Sequence, residues 1–531
     1  MSHSKQIGRT RHTINNSFWG VTYRVLHMVF PMLLRRYILH SIENGIIYIG
    51  YSSLFISILQ VLNLTELGFA SAAVYMMYKP VAEGDTATIR RLMTMMRSIY
   101  RVVGAVVCVA GLLVLPFLRF LVKDPIDNGY YLLYLMYLFH AVMTYWMFAY
   151  EGSIFTAHQR TEVNFQIYTI VVILQYAGQF LVFWYTKNYY LYILVYAVMS
   201  VPQNLILHFR KKRAYPDISC EGKPTQEEKQ ILVTKIKSLF GHRFGSTFIF
   251  SIDSIIISAF LGEANLGKYD NYIHLLSSVC QLMTVLRTSI LASVGNKLVL
   301  DTKENNYNLF KRMNFLWIGF ICMCASCFAG LYQPFITLWV GGEYLFDRPL
   351  LLCIVMYFFV RELRMIPLVF KDAAGLWEAD KWKPYIGMAA NTVLSILFVW
   401  LVFKHTGNVE FSLMGVQIPT MVVLLGIFVP WETYVLFTQL FKRSPKEYLL
   451  LFGRFVFTAL VGIAAVFLVC ERVPLTGIPG LLVRSVICVT LSAVIYVILN
   501  LNTQQWKVSY RLGKKYAIGT VKRLTGSKSE G

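Results

Sequence analysis

Charged residues are scarce in this chain of 531 residues, and acidic residues are scarcer than basic ones. Only 15% of the residues are charged, whereas 56% are hydrophobic. A soluble domain carries about 25% charged residues, so most of the surface of this chain must face lipid. The composition therefore excludes an ordinary soluble protein and favours a polytopic membrane protein.

Long polar stretches are also missing. The longest one between apolar segments runs from residue 210 to about residue 243, which is too short to fold as a catalytic domain. The nine cysteines lie mostly inside apolar segments and suggest no disulfide framework. No metal motif of histidine, cysteine and acid is present either. We therefore predict a protein that is not an enzyme and that uses no metal or other cofactor.

Fourteen apolar segments are long enough to cross a bilayer, for which a helix needs about 20 mostly apolar residues. They predict an all-α polytopic membrane protein with about fourteen transmembrane helices. The predicted spans are 20–42, 46–78, 98–122, 129–156, 163–186, 189–209, 243–262, 269–296, 313–340, 349–376, 384–404, 411–440, 448–470 and 477–500.

Basic residues are distributed unevenly among the loops. Alternate loops and both termini together hold 35 Lys and Arg residues, and the other loops hold six. Because Lys and Arg in short loops stay on the cytoplasmic side, both termini are predicted to be cytoplasmic, in a multi-pass protein of the inner (cytoplasmic) membrane. The net charge of +22 follows from this topology and from attraction to anionic lipid headgroups, so no nucleic-acid partner is expected.

A weak internal repeat relates the two halves of the chain at an offset of about 218 residues. It aligns Lys79 with Lys297, Tyr51 with Tyr269, Pro116-Phe117 with Pro334-Phe335, and Gly50 with the residue next to Gly267. A constant offset across several spans is typical of a duplicated transporter.

The repeat predicts two pseudo-symmetric six-helix lobes followed by an extension. The N-terminal lobe is residues 1–222, the C-terminal lobe is residues 223–440, and residues 441–531 add two transmembrane helices and a basic cytoplasmic tail. The second lobe begins with an amphipathic linker helix, where Thr225 and Glu228 are spaced as a capping box.

Charged residues inside the predicted spans are energetically costly. Nine arginines and five acids lie there, and fourteen charges facing lipid would cost on the order of 40 kcal/mol. The deepest of them must face protein partners or a watery cavity. These are Arg35, Arg36, Glu66, Asp253, Arg287, Arg361, Glu362 and Arg364.

The deep arginines, Arg35, Arg36, Arg287, Arg361 and Arg364, are candidates for binding an anion. A guanidinium group binds phosphate oxygens through two parallel hydrogen bonds and keeps its charge. In a continuous helix, Arg361 and Arg364 share one face because they are three residues apart. The intervening acidic residue would then point about 100° away from that face.

The deep acids, Glu66, Asp253 and Glu362, are candidates for ion coupling or for ion pairing with the arginines. Asp253 aligns with Arg36 in the repeat at an offset of 217, so these two residues form one suggested pair. Glu66 with Arg287 is the other. A fixed network of such pairs is the alternative to a ligand-binding cavity.

Residues 262–269 read GEANLGKY, one residue short of a phosphate-binding P-loop. The segment lacks the Ser or Thr that would hold magnesium, follows no strand, and lies outside the cell by the charge count. We reject a nucleotide site at this position.

Several blocks resemble one family of transporters. Residues 62–85, LNLTELGFASAAVYMMYKPVAEGD, are followed by IRRL and by GLLVLPFLRFLV, and the second lobe contains IDSIIISAFLGEANLGKYDNY, which resembles the start of the family's seventh span. These blocks are similar to those of Wzx-type polysaccharide (O-antigen) flippases, in the multidrug/oligosaccharidyl-lipid/polysaccharide exporter superfamily. One departure is the double arginine at Arg35 and Arg36, where a single one is expected, which leaves open which of the two faces the cavity.

The resemblance covers essentially the whole chain and implies a function. It implies two lobes around a central cavity that alternates its access, and a substrate of oligosaccharide carried on undecaprenyl pyrophosphate for O-antigen, capsule or exopolysaccharide. Partners would be this lipid-linked oligosaccharide, membrane lipids and other polysaccharide assembly proteins. A drug or cation antiporter of the same superfamily is the alternative, and a membrane-embedded polysaccharide polymerase or ligase is the third possibility.

Overall fold

A computed structural model describes the backbone of residues 3–63 and 69–511. Side chains are described from residue 15 onward within these ranges, except at positions 70–71, 235–240, 242–243, 246, 292, 299, 447 and 450. Within these limits the chain is helical and contains no strand. This confirms the all-α prediction.

Ten helices form the first part of the chain. They are α1 (His3–Ser41), α2 (Gly45–Leu62), α3 (Phe69–Glu83), α4 (Thr86–Val114), α5 (Leu118–Leu121), α6 (Tyr130–Trp146), α7 (Gly152–Ala157), α8 (Thr161–Thr186), α9 (Tyr189–Val198) and α10 (Ser200–Ala214). Short 3-10 turns at 115–117 and 149–151 join α4 to α5 and precede α7.

Ten further helices complete the described chain. They are α11 (Gln226–Leu261), α12 (Glu263–Leu300), α13 (Lys303–Trp339), α14 (Arg348–Leu363), α15 (Met365–Ala373), α16 (Lys383–Thr406), α17 (Val409–Val423), α18 (Val429–Val435), α19 (Lys446–Glu471) and α20 (Gly477–Asn500). Wider π-helical turns at 424–428 and 436–441 flank α18. The predicted capping box is confirmed at the start of α11, where Thr225 and Glu228 satisfy each other's backbone N–H groups.

The number of membrane spans can be compared with the prediction helix by helix. Among the described residues, ten helical stretches are long and apolar enough to cross a membrane, and the bent pair α6–α7 makes an eleventh. The three other predicted spans fall on α1, α11 and the pair α14–α15. These three carry the deep charges Arg35, Asp253 and Arg361 respectively.

The chain divides into two compact units between Ser278 and Val279. In the first unit α1 packs on α8, α4 packs on α6, and α2 packs on α11. In the second unit α13 is central, because α14, α19 and α20 all pack against it, while α16 packs on α17. The two helices added after the predicted lobes therefore dock on α13.

Within the first unit, α2 and α12 cross at a pair of glycines. A Cβ atom at Gly50 would lie 2.1 Å from the carbonyl oxygen of Glu263, and one at Gly267 would lie 2.2 Å from that of Ile46. Adding 217 to positions 46 and 50 gives positions 263 and 267, so the two contacts are reciprocal. Such a self-complementary contact is what a duplicated sequence forms where its copies meet, and it supports the internal repeat. Only glycine allows backbones to approach this closely.

Candidate site: paired arginines within the helix bundle

The first deep arginine, Arg35 on α1, is bound to a carboxylate of α12. Its Nη2 lies 2.5 Å from Oδ2 of Asp270, and its Nη1 donates to Oδ1 of Asn271 at 3.3 Å. Ser53 on α2 donates to the other oxygen of Asp270 at 3.0 Å. About one fifth of each ion-pairing side chain is exposed, so the pair is partly accessible.

This pair lies where the two copies of the repeat meet. Ser53 and Asp270 are 217 positions apart, and they occupy matching positions in the repeat. A contact between matching residues lies on the pseudo-two-fold axis that relates the copies. The predicted repeat would therefore place Asp270 at its symmetry axis, with a serine in the matching position.

The suggested pair of Arg36 with Asp253 is not formed in this structure. Asp253 is buried on α11, and its Oδ1 atom has no hydrogen-bond partner within the described part of the chain. No ion pair joins it to a cation of the described residues. Arg36 lies on the exposed side of α1, next to the ion-paired Arg35. The reason is geometric: the acid that reaches α1 is Asp270, one helix further along the chain.

Arg287 on α12 pairs with Asp372. Its Nη2 lies 2.9 Å from Oδ2 of Asp372, while Trp377 donates to the other carboxylate oxygen at 3.1 Å. Glu66 lies outside the described residues. The side chains of Arg287 and Asp372 are 31% and 21% exposed, so this pair is also partly accessible.

The predicted two-arginine face is interrupted, because the helix breaks at Arg364. α14 ends at Leu363, Arg364 is its C-cap residue, and α15 begins at Met365. The expectation of a shared face assumed a continuous helix. The break turns Arg364 towards a different partner from that of Arg361.

That partner is Glu432 of α18, which anchors a buried network of charges. Arg364 binds both carboxylate oxygens of Glu432, with Nε 3.0 Å from Oε2 and Nη2 in close contact with Oε1. Lys383 binds Oε1 of Glu432 at 2.6 Å and Oδ2 of Asp380 at 2.5 Å. Lys371 donates to the same Asp380 oxygen at 2.8 Å. All of these side chains except that of Arg364 are at most 4% exposed.

Arg361 and Glu362 lie together beside this network. The Nε atom of Arg361 is 3.6 Å from Oε1 of Glu362, so the carboxylate bends towards the arginine and does not point away as predicted. Glu362 is 2% exposed, and its Oε2 atom accepts no hydrogen bond from any described residue. Arg361 is 27% exposed.

Within each unit, the structure thus pairs the predicted charges with residues that the sequence analysis did not single out. The sequence places the additional members in loops or near span ends; they are Asp270, Asp372, Asp380, Lys371 and Lys383. For Asp270 a signal exists, since it follows Gly267 and lies 217 positions after Ser53. The other four residues meet their partners because α15 and the turn between α15 and α16 pack against α18. No local sequence pattern indicates that packing.

The arrangement suits an anionic ligand. Arginine and carboxylate pair through the same fork of N–H groups that binds phosphate, so a phosphate can replace a carboxylate without a change in geometry. Among the described residues, no group of three or more His, Cys, Asp and Glu side chains is placed to hold a metal ion. The chemistry available here is charge pairing and its exchange.

Comparison with known proteins shows the fold. No family model matches the sequence, and no curated protein matches it. Among solved structures, the lipid II flippase MurJ in an inward closed conformation is similar with a TM-score of 0.61 and 13% identity, over 92% of this chain and 99% of that one.

Two multidrug transporters are also similar. An inward-facing multidrug resistance MATE family transporter of the MOP superfamily gives a TM-score of 0.58 at 12% identity, over 78% of this chain and 94% of that one. A point mutant of the Vibrio cholerae MATE transporter VcmN gives 0.54 at 13% identity, over 83% and 100%. The chain therefore has the polytopic α-helical fold of these flippase and transporter structures.

Proposed function

We propose that this chain is a flippase that moves undecaprenyl-pyrophosphate-linked oligosaccharide across the cytoplasmic membrane for assembly of a surface polysaccharide. The observation that carries the proposal is the set of arginines inside the bundle that are partly accessible and already bound to carboxylates. Such pairs are poised to exchange a carboxylate for a pyrophosphate. The fold shared with a lipid II flippase supports the same class of substrate.

Arg35 is the arginine at which exchange is best supported. It lies with Asp270 at the axis between the repeats, and one fifth of the pair is exposed. A pyrophosphate carries more negative charge than a carboxylate and competes with Asp270 for the guanidinium group. A ligand shifts a protein between conformations only through its different affinity for them. Loss of the Arg35–Asp270 pair on substrate binding provides that difference.

The other candidates divide between binding and support. Arg287 and Arg361, about 30% exposed, remain candidates for binding the ligand. Arg364 is assigned to support, because Glu432 occupies both sides of its guanidinium fork. Arg36 remains an alternative to Arg35 as the arginine that binds the ligand.

The acidic residues are proposed to couple transport to an ion or to form ion pairs with the arginines. Asp253 is buried without a cation from the described residues, and Glu362 is buried with one oxygen that none of them satisfies. Either can take up a proton or a cation when the bundle changes conformation. Glu66 remains a candidate for ion coupling or ion pairing on the basis of the sequence alone.

The proposed architecture has two six-helix lobes, 1–222 and 223–440, with residues 441–531 appended and both termini in the cytoplasm. Labelling of single cysteines tests this topology in a variant without the native cysteines. A cysteine at Glu343, in the connection between α13 and α14, should react with a membrane-impermeant reagent from outside. One at Lys223, just before α11, should not. Both positions are exposed, so burial does not confuse the result.

The alternative function is export of a drug or cation, and the likeness to MATE transporters supports it. A cation exporter needs acids that are free to face its cargo. Here Asp270, Asp372 and Glu432 are engaged by cations. A polymerase or ligase would place catalytic groups in large outer loops, yet the described connections 122–129, 341–347 and 472–476 are short.

Deletion of the gene tests the proposed function. Loss of the flippase should leave lipid-linked oligosaccharide on the inner leaflet, and a plasmid copy should restore its export. An Arg35→Gln copy should fail to restore it. The matched control is Arg348→Gln, which removes another arginine 2.7 Å from a carboxylate, on Glu471, but at a position that is 70% exposed. Normal export in the deletion strain would exclude the proposal.

A further inference from the structure

The segment GEANLGKY, which resembles a P-loop in sequence, forms the turn between two helices. α11 ends at Leu261 and is followed by Gly262, whose φ of +90° lies in a region that favours glycine. α12 begins immediately afterwards at Glu263, and the side chain of Glu263 is fully buried. A buried carboxylate at the outer end of two helices requires partners, because an unpaired buried charge is strongly destabilising.

The partners of Glu263 are backbone N–H groups of the loop at 122–129 and one hydroxyl. Oε1 accepts from the N–H of Lys123 at 2.9 Å and from the hydroxyl of Ser258 at 2.8 Å. Oε2 accepts from the N–H of Asp124 at 3.0 Å. Hydrogen bonds to a charged group are roughly twice as strong as neutral ones, so the two backbone contacts, from Lys123 and Asp124, hold the loop firmly.

Two further contacts hold the same loop. The ammonium group of Lys123 donates to the carbonyl oxygen of Phe260 at 2.7 Å, and the N–H of Ile126 donates to the hydroxyl of Tyr51 at 3.1 Å. A Cβ atom at Gly262 would lie 2.3 Å from a carboxylate oxygen of Asp124, so the loop is seated directly on the α11–α12 turn.

The Glu263 contact has no counterpart in the other copy of the repeat. Subtracting 217 from position 263 gives Ile46, and adding 217 to positions 123 and 124 gives Val340 and Gly341. Isoleucine cannot accept a hydrogen bond through its side chain, so the second copy of this contact does not exist. The glycine crossing of α2 with α12 is reciprocal, whereas the Glu263 contact is an addition to it. The fold alone therefore does not demand this carboxylate.

We propose that Glu263 is a latch that keeps the outer ends of the two repeats together and must release for the outer side to open. Its three donors include two from the first repeat, at Lys123 and Asp124, while the carboxylate belongs to the second repeat. The inference rests on the proposed alternating access. In the open state water replaces the backbone donors, so the latch stabilises the closed state.

The test uses the rate at which a buried cysteine reacts from outside. Ser57, on the same face of α2 as Ser53, is 7% exposed and serves as the reporter after replacement by cysteine in a variant without the native cysteines. Glu263→Ala should raise the rate of maleimide labelling at position 57 by about tenfold or more, because the closed state loses hydrogen bonds to a charge. The matched control, Glu343→Ala, removes an exposed outer carboxylate and should leave the rate unchanged.

An unchanged labelling rate in a Glu263→Ala protein that elutes as a single folded species would overturn the latch. If that variant does not fold, Glu263→Gln, which keeps the shape of the side chain and removes its charge, is read at position 57 in the same way. It should also label faster than the wild type, because a neutral acceptor holds the two backbone N–H groups less tightly. A rate equal to that of the wild type would refute the proposal. Because labelling does not depend on the cargo, a chain that exports a different solute would still show the latch.

Discussion

Two interrupted helices, one in each compact unit, carry opposite charges. α6 and α7 are bent by 47° around a break that begins at Met147, and α14 and α15 are separated at Arg364. The two break positions differ by 217, the offset of the repeat. Interrupted helices at corresponding positions of two repeats are the best pointer to a transporter's binding site.

The charges across the two breaks are reversed. In the first unit the acid, Glu151, is on the broken span, and α10 supplies His208 at 3.0 Å and Lys211 at 3.9 Å. In the second unit the base, Arg364, is at the break, and α18 supplies the acid Glu432. Each broken span is thus bonded to the last helix of its predicted lobe, with the signs of the partners exchanged. The partners do not occupy matching positions, because adding 217 to the position of Glu151 gives Leu368, four residues after Arg364.

The second unit places more charge at its break, so its disruption should have the largest effect. Arg364→Ala leaves Glu432 buried with only Lys383, and removal of one member of a buried pair costs about 3–5 kcal/mol. We expect a large fall in thermal stability, measured by the elution of detergent-solubilised protein after heating. Wild-type stability together with lost export would contradict the supporting role and restore the ligand role predicted from sequence.

Arg35→Gln should have the next largest effect. It should weaken substrate binding and leave folding unchanged. The loss of a charged bidentate contact of about 1.5–3 kcal/mol corresponds to roughly 10- to 100-fold weaker binding of a pyrophosphate lipid. Lys at this position should recover only part of the affinity, because an ammonium group lacks the planar fork. Asp270→Asn, which removes the competitor, should bind the lipid at least as tightly as the wild type. Equal affinity of wild type and Arg35→Gln would remove Arg35 from the site.

Glu151→Gln should have a smaller effect than Arg364→Ala. His208 is 30% exposed and can turn to water when its acid partner is neutralised, so a cost of about 1–2 kcal/mol is expected. The same heating assay measures it. A loss as large as that of Arg364→Ala would show that the two breaks are energetically equivalent and would break the comparison.

The smallest effect is expected at an exposed pair close in sequence to a buried one. Lys381 and Glu378 are 3.2 Å apart and mostly exposed, whereas Lys383 and Asp380 are 2.5 Å apart and buried, and both pairs are three residues apart. Glu378→Gln should change stability by no more than about 0.5 kcal/mol. Asp380→Asn should cost several kcal/mol. Similar costs for the two changes, measured by the heating assay, would show that burial does not decide the strength of these pairs.

The helices and the deep charges are predictable from the sequence because both depend on local composition. A run of about 20 apolar residues identifies a span wherever it occurs, and an arginine within one must find a partner. The choice of partner depends on tertiary contacts. The sequence places Asp270 near a span end and Arg364 in a continuous helix, because neither the axis between the repeats nor the break is visible in a local pattern.

The internal repeat shows both what the sequence can predict and what it cannot. Its offset is visible in sparse identities such as Lys79 and Lys297, and the reciprocal glycine contact supports it at 217 residues. The alignment matches Arg36 with Asp253 and so suggests a pair. Matching positions in a repeat, however, lie in contact only near the axis, as Ser53 and Asp270 do. Elsewhere equivalence in sequence does not imply proximity.

Flipping by purified protein in sealed proteoliposomes tests the central claim most directly. Undecaprenyl-pyrophosphate-linked oligosaccharide is incorporated, and the fraction accessible to an added glycosidase is followed with time. The account predicts that wild type and Arg348→Gln move the lipid between leaflets and that Arg35→Gln does not. Wild-type protein that leaves this lipid in place while exporting an organic cation, or an Arg35→Gln protein that flips at the wild-type rate, would contradict it.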